Sequence, residues 1–242
     1  MALAEQKETW YARTELLLGK EGMARLSGAR VAIFGIGGVG GYVVEALARA
    51  GVGALDLFDP DTVSETNLNR QIIALRSTLG QYKTDVAAAR AKDINPAIRV
   101  QTSHLFYLPE NADTVDLSVY DYIVDAIDTV SAKMELIRRA KRLQVPIISS
   151  MGTGNKLDPT GFRVSDIEKT SVCPLARTVR GLCRREGIQG VKVLWSAEAP
   201  RRVSLPAEHG RHAPGSISFV PAAAGLCIAG EVINDLVKTR QK

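Results

Sequence analysis

The chain has 242 residues, a formal net charge of +5, 45% hydrophobic residues and 24% charged residues. This balance excludes a wholly disordered chain and a coiled-coil rod, and the length predicts one large domain or one domain with an appendage. Three cysteines are too few for a disulfide framework or a four-cysteine zinc site. Because no secretory signal is visible at the N-terminus, we expect a reduced, cytoplasmic protein.

Short β-branched runs alternate with helical patterns up to about residue 150. The predicted strands cover 30–34, 54–58, 99–103, 122–126 and 146–150, and the predicted helices cover 42–50, 84–94 and 131–143. The first two strands and the helix between them form a βαβ unit, which implies a parallel sheet. The sequence therefore predicts a doubly wound, mainly parallel α/β fold with a Rossmann-like nucleotide-binding core at 29–150.

Two segments flank this core. We expect residues 1–28 to form an N-terminal helical segment, and residues 151–242 to form a smaller substrate-binding extension of the same domain. In the extension we predict strands at 162–167 and 193–196, helices at 174–186 and 221–237, and a mobile loop at about 200–214.

The uncharged stretch 212–230 reaches the length of a membrane span, but prolines, serines and a glycine interrupt its first half. We therefore expect a buried helix there and regard membrane association as the less favoured alternative.

A glycine-rich loop follows the first strand. Gly35 permits a tight turn, Gly37 and Gly38 let a phosphate approach the backbone, and Gly40 lets the next helix pack close to the strand. Asp59 ends the second strand, where a carboxylate can accept hydrogen bonds from ribose hydroxyls. The loop predicts an adenine nucleotide, with a purely structural loop as the alternative, and does not distinguish a dinucleotide cofactor from ATP.

The residues after Asp59 favour ATP. Arg70 is a bidentate donor suited to phosphate oxygens, Asn67 adds a neutral polar contact, and Lys83 can place a second positive charge on a triphosphate. Asp128 follows the fourth strand and supplies the kind of oxygen that magnesium prefers. We expect Asp59 and Asp128 to face one crevice, since both end parallel strands.

The segment 177–211 carries eight basic residues against three acidic ones. This excess favours a polyanionic partner such as nucleic acid, and the alternative is a solvated basic face. The helix at 174–186 places Arg177, Arg180 and Arg184 at helical spacing on one side.

The glycine loop and the polar residues that follow it, taken in their order along the chain, resemble those of the ubiquitin-activating-enzyme-like adenylyltransferases. This family includes molybdopterin and thiamine pathway enzymes. The resemblance covers residues 10–150 through Gly35–Gly40, Asp59, Asn67, Arg70, Gln71, Lys83 and Asp128. It implies that these residues bind ATP and magnesium and adenylate a carboxylate, with catalytic roles for Arg70, Lys83 and Asp128. Arg13 matches the family's arginine that reaches the triphosphate from the partner subunit, which implies a homodimer.

Segments at 156–160, 169–177, 196–198 and 215–221 are similar to the branch of that family that dehydrates threonylcarbamoyladenosine in tRNA. This similarity implies ATP-dependent cyclisation through an acyl-adenylate, with Arg177, Arg180 and Arg184 contacting tRNA phosphates. It also allows a K⁺ or Na⁺ site at the 151–160 turns and docking of a cysteine-desulfurase sulfur-relay protein.

Two other functions stay open at this point. The first is an adenylyltransferase that activates the C-terminal glycine of a ubiquitin-like sulfur-carrier protein, although the Cys-x-x-Cys pairs usual in such enzymes are absent from this sequence. The second is a non-catalytic nucleotide-binding scaffold. Cys173 is either a nucleophile that forms a thioester or a small, semi-buried residue ahead of a helix.

Overall fold

The computed structural model describes residues 9–202 and 214–238. Within these ranges, helices and strands alternate as the sequence predicts, and their ends differ from the predicted ends by no more than two residues. In chain order the elements are α1 (Ala12–Gly28), β1 (Arg30–Phe34), α2 (Gly40–Ala50), β2 (Ala54–Phe58), α3 (Lys83–Ile94), β3 (Arg99–Ser103), β4 (Tyr122–Asp125), α4 (Val130–Leu143), β5 (Ile147–Ser150), β6 (Phe162–Asp166), α5 (Pro174–Arg185), β7 (Lys192–Ser196) and α6 (Phe219–Val237).

The strands form one seven-stranded sheet in the order β3-β2-β1-β4-β5-β7-β6. All neighbouring strands are parallel except β6, which runs antiparallel to β7 at the edge of the sheet. The predicted doubly wound, mainly parallel α/β fold is therefore confirmed. The strand order reverses between β1 and β4, and in such sheets a ligand crevice lies at the carboxyl ends of the strands flanking that reversal.

Apolar side chains on the two faces of the sheet build two separate cores. One core packs α1, α2, α3 and α6 against the sheet through residues such as Leu26, Leu47 and Ile228. The other packs α4 and α5 against the opposite face through residues such as Ile137 and Val179. The central strands are buried on both faces, which explains why they appear in the sequence as continuous apolar runs.

The N-terminal segment is helical only in part. α1 begins at Ala12 and is interrupted at Gly19, whose φ of 71° and ψ of 168° are not helical. Residues 1–8 of the predicted N-terminal helical segment lie outside the described residues, as do residues 203–213 of the predicted mobile loop.

Helix α6 has 19 residues and is long and apolar enough to pass a length-and-composition test for a membrane-spanning helix. One side is buried through Val220, Ala224 and Val232, whereas Leu226 and Cys227 on the other side are exposed. The expected burial of this helix therefore holds for one of its faces.

Candidate functional site

A cleft of about 390 Å³ opens at the carboxyl ends of β1, β2 and β4, beside the reversal of strand order. It gathers residues that lie far apart in the sequence. Those predicted from the sequence that line it are Gly35, Gly37, Gly38, Asp59, Asn67, Arg70, Gln71, Lys83 and Asp128. The fold thus brings the glycine loop, the polar residues after β2 and the carboxylate after β4 to one place.

Two glycines shape the loop between β1 and α2. Gly35 has a φ of 88°, and a Cβ there would lie 2.7 Å from the carbonyl oxygen of Ala126 in the β4–α4 loop. A Cβ on Gly40 would lie 1.8 Å from the carbonyl oxygen of Gly35. Only glycine fits at both positions without moving the backbone, so the loop is held tightly between β1, α2 and the β4–α4 loop.

The N-termini of two helices point toward this cleft. Gly37, Gly38 and Val39, which line it, lead directly into α2, while Pro221 of the first turn of α6 lines the same space. A Cβ on Gly38 would be 3.2 Å from the Pro221 side chain, so the two helix starts are in contact. The unpaired backbone N–H groups and the positive ends of the helix dipoles make such a position favourable for an anion.

Asn69 holds the approach to α6, a role that the sequence analysis did not assign to it. Its Nδ2 donates to the carbonyl oxygen of Ser216, 3.0 Å away, and Ser216 lines the cleft. Asn155 holds Gly215, the residue before Ser216. The Asn155 N–H donates to the Gly215 carbonyl oxygen, and Asn155 Oδ1 accepts from the Gly215 N–H. These contacts link residues far apart in sequence, so no local pattern identifies them.

Asp59 is almost fully buried at the end of β2. Its Oδ2 accepts from the Ile36 N–H at 2.6 Å and its Oδ1 accepts from the Asp61 N–H at 2.9 Å. Burial raises the pKa of the Asp59 carboxyl, although Lys83 and the two backbone N–H groups oppose this effect. The carboxylate therefore anchors the glycine loop, and its remaining lone pairs can accept further hydrogen bonds.

Lys83 is paired with carboxylates. Its Nζ donates to Asp61 at 2.6 Å and lies 3.7 Å from Asp59 Oδ1, while its side chain is only 7% exposed. Asp61 is 64% exposed and lines the cleft. The sequence analysis treated Asp61 only as part of the turn that closes β2, and the structure shows that it orients the lysine expected to contact phosphate.

Arg70, Asn67 and Gln71 come from the segment after β2. Arg70 Nη1 donates to the Thr66 carbonyl oxygen and to Asn69 Oδ1, both at 2.9 Å, and Asn67 Oδ1 accepts from the Ser64 N–H. Gln71 is buried, and its Oε1 has no hydrogen-bond partner among the described residues. An unpaired amide oxygen is costly to bury, and at the lining of a cleft it can accept a hydrogen bond from a ligand or from water.

A buried ion pair lies behind Asp128. Asp125 at the end of β4 accepts from Lys133 Nζ at 2.9 Å and from Ser149 Oγ at 2.6 Å, and all three side chains are fully buried. The other carboxylate oxygen of Asp125 accepts from the Ile127 N–H at 3.1 Å. This network, which sequence patterning did not reveal, fixes the short loop that carries Asp128 to the cleft.

Within 9–202 and 214–238, no group of three histidine, cysteine or acidic side chains could hold a metal ion alone. Asp128 is exposed in the cleft and can offer one carboxylate. Such a donor set fits magnesium, which commonly takes one or two carboxylates together with phosphate oxygens of a substrate.

Several residues named from the sequence do not line the cleft. Arg13 is exposed on α1, and Gly40 lies beneath the glycine loop. Cys173 is only 3% exposed and precedes α5, with its Sγ facing Gly152. The α5 arginines are also outside the cleft: Arg180 donates to the Thr170 carbonyl oxygen at 2.9 Å, and Arg184 pairs with Glu168.

Comparisons with known proteins agree with this arrangement. A family model described as the ThiF family matches residues 11–242. A tRNA threonylcarbamoyladenosine dehydratase of Bacillus subtilis is 43% identical, with 94% of each chain covered. The enzyme of the same name from Escherichia coli is 38% identical over 79% of this chain and 76% of its own. A solved structure of the E. coli enzyme, TcdA, in complex with ATP superimposes with a TM-score of 0.84 at 33% identity, covering 98% of this chain and 97% of that one.

Proposed function

The chain belongs to the ThiF family, and we propose that it is an ATP-dependent enzyme that dehydrates threonylcarbamoyladenosine in tRNA through adenylation of its carboxylate. The observation that carries this proposal is the cleft itself. Two helix N-termini, Arg70 and an unpaired buried Gln71 oxygen converge on it, and the similar E. coli structure is described as a complex with ATP. The 43% identity to a dehydratase over nearly the whole chain supports the choice of substrate.

The chemistry begins with a carboxylate, which is a poor acyl donor because its oxide is a poor leaving group. A carboxylate oxygen of the threonylcarbamoyl group attacks the α-phosphorus of ATP, and the bond from that phosphorus to the β-phosphate oxygen breaks. The products are an acyl-adenylate and pyrophosphate. A nitrogen or oxygen of the same side chain then attacks the acyl carbon, loses its proton and releases AMP, which carries away the former carboxylate oxygen. The tRNA therefore loses the elements of one water molecule.

The residues of the cleft meet the main difficulty of this reaction, which is the repulsion between two anions held in line. Arg70 supplies a guanidinium with nitrogens left for phosphate oxygens, and Lys83 supplies a second positive charge. The N-terminal turns of α2 and α6 add backbone N–H donors. The nucleophile belongs to the substrate, so the mechanism requires no protein nucleophile, which agrees with the burial of Cys173.

We assign Asp128 as the carboxylate that binds magnesium together with the phosphates of ATP. When bound, magnesium neutralises phosphate charge and favours departure of pyrophosphate. The Asp125–Lys133–Ser149 network keeps the Asp128 loop in place for this contact. The K⁺ or Na⁺ site and the sulfur-relay partner stay predictions from the resemblance.

We also propose a homodimer in which Arg13 serves the neighbouring subunit. Arg13 is exposed and lies outside the cleft of its own chain, as a residue that acts across an interface must. Leu16 and Leu17 beside it are 87% and 86% exposed, and α6 presents Leu226 outward. Large exposed apolar side chains of this kind are typical of an interface between copies.

We place the protein in the cytoplasm, where ATP and tRNA are available.

Pyrophosphate exchange into ATP tests the function against the two alternatives. We expect exchange that depends on tRNA carrying threonylcarbamoyladenosine, because formation of the acyl-adenylate is reversible. Exchange that depends instead on a carrier protein ending in Gly-Gly would identify a sulfur-carrier adenylyltransferase. Absence of exchange with either substrate, in protein that binds ATP, would identify a non-catalytic scaffold.

A further inference from the structure

Helix α5 leads away from the cleft. Its first turn lies at the carboxyl end of the sheet, because Cys173 ahead of it contacts Gly152 just after β5. Its last turn lies at the opposite end, where Arg184 pairs with Glu168 at 2.9 Å, and Glu168 follows the antiparallel strand β6. Seven residues of helix separate Arg177 from Arg184 by about 10 Å. Of the three α5 arginines predicted to contact tRNA, only Arg177 is therefore near the cleft.

The other two α5 arginines are already engaged. Arg180 is half-buried and donates to both the carbonyl oxygen and the hydroxyl of Thr170, while Arg184 holds Glu168 with two nitrogens. A phosphate would have to displace these hydrogen bonds. Arg177 is exposed, and no contact of its side chain is seen in the described part of the chain.

Arg163 lies on the same face of the sheet as α5. Along β6, Phe162 and Val164 pack against the core that contains α6, so the alternating pleat directs Arg163 to the opposite face. Arg163 is the register partner of Trp195, which packs in the core that contains α5. Because β6 begins at the carboxyl end of β7, Arg163 is close to that end of the sheet.

Arg201 and Arg202 lie at the same carboxyl end of the sheet. They follow β7, and the Arg201 N–H donates to the Asn155 carbonyl oxygen at 2.7 Å. Asn155 also holds Gly215, next to Ser216 in the cleft lining, so the two arginines are close to the cleft. Both side chains are exposed, and neither shows a side-chain contact within 9–202 and 214–238.

The charge balance around these residues is positive. Among the residues that the structure describes, the carboxylates of this region are Asp158 and Glu198, and both already accept hydrogen bonds from backbone N–H groups in the 157–160 segment. Lys156, which directly precedes this segment, is buried and donates to the Glu198 carbonyl oxygen. Within 9–202 and 214–238, no carboxylate pairs with Arg163, Arg177, Arg201 or Arg202, so these side chains can contact a polyanion.

We infer that these four residues, the carboxyl-end arginine cluster, bind backbone phosphates of the tRNA anticodon arm and hold the modified adenosine over the cleft. This inference rests on the proposed function. Contacts to phosphates fix the position of a nucleic acid without reading its sequence, which suits an enzyme whose target is recognised by its modification. The tRNA then lies over the ends of β5 and β7 and not along α5.

The test compares two quadruple variants of the full-length protein by tRNA binding at several salt concentrations. The first replaces the four cluster arginines with glutamine. The matched control replaces four exposed cations at the amino end of the sheet, namely Arg99, Arg142, Lys169 and Arg185. None of the eight side chains forms a hydrogen bond or ion pair within the described residues, so we expect both variants to fold with unchanged thermal midpoints and ATP affinities.

We expect the cluster variant to bind tRNA at least about tenfold more weakly. Its slope of log affinity against log salt should fall by roughly 0.7–0.9 for each phosphate that the variant no longer neutralises. The control should retain the wild-type slope. An unchanged slope in the cluster variant, or equal weakening in the control, would overturn the inference.

Failure of the proposed function has a different signature, because wild-type protein would then bind tRNA yet leave its threonylcarbamoyladenosine intact. If wild-type protein did not bind tRNA, both the inference and the proposed function would be contradicted.

Discussion

At the scale of single residues, Arg70 carries the most direct link between geometry and chemistry. One of its nitrogens holds Thr66 and Asn69, so the side chain is oriented before any ligand arrives. Preorganised cations of this kind act without reorganisation cost when charge develops in the transition state. We therefore propose that Arg70 binds the phosphate oxygens of the transferred adenylyl group.

Arg70→Ala should lower the rate of pyrophosphate exchange by about 100-fold or more, the loss typical of removing one preorganised donor. The thermal midpoint should stay unchanged, since Arg70 is only half-buried. Arg76→Ala is the matched control, because Arg76 belongs to the same segment and forms only a 3.5 Å exposed pair with Glu65. Exchange that survives in Arg70→Ala at the control's level would remove Arg70 from the mechanism.

The position of residues that act through backbone geometry could be predicted from the sequence, whereas the partners of paired side chains could not. The glycines and Asp59 could be predicted because a turn between a strand and a helix has local requirements. The pairing of Lys83 with Asp61, and of Lys133 with Asp125, could not, because such contacts depend on how separate elements meet. The same limit applies to the α5 arginines, because residues distant in sequence determine which of their side chains are already hydrogen-bonded.

At the scale of elements, the β4–α4 connection depends on a buried ion pair. Lys133 and Asp125 are both fully buried, and Ser149 of β5 completes the hydrogen bonds of the carboxylate. A hydrophobic pair of similar volume is often as stable as such a pair, but removing one partner leaves a buried charge uncompensated. The pair therefore makes the position of the Asp128 loop sensitive to a single substitution.

Lys133→Met should lower the free energy of unfolding by about 3–5 kcal/mol, measured by urea denaturation. The double variant Lys133→Met, Asp125→Asn should recover part of this stability, because it no longer buries a lone carboxylate. Arg142→Met on the same helix is the control, since Arg142 is exposed. A decrease below about 1 kcal/mol in the single variant would show that the buried pair does not hold this connection.

The order of helices and strands followed from periodicity, and the crossover rule gave the parallel core. The direction and place of β6 did not follow. A strand's own pattern does not encode its direction, and β6 follows β5 in sequence yet pairs with β7 at the edge of the sheet. Its antiparallel direction depends on the turns at 151–161, which no periodic pattern describes.

At the scale of the whole molecule, the proposed active site needs two chains. Arg13 lies on α1, beyond the cleft of its own subunit, so a site completed from the partner needs both copies. Closed twofold dimers are the commonest symmetric assembly, and their symmetry would give each cleft one Arg13. The resemblance to a family suggested this arrangement, whereas composition and periodicity alone did not.

Mixing Arg13→Ala and Arg70→Ala chains tests the exchange of Arg13 between subunits. Each variant alone should be inactive in pyrophosphate exchange. After random reassociation, half of the dimers are mixed and each has one intact site, so about a quarter of wild-type activity should return. If no activity returns in samples shown to contain mixed dimers, Arg13 does not act across the interface.

The central claim is that this cleft uses ATP to remove water from a modified adenosine in tRNA. Mass spectrometry of the nucleosides, after incubating modified tRNA with the protein, ATP and magnesium, measures this most directly. We expect threonylcarbamoyladenosine to lose the mass of one water molecule, only when ATP is present, and one AMP and one pyrophosphate to form for each nucleoside changed. A nucleoside of unchanged mass, or a loss of water without AMP formation, would contradict it.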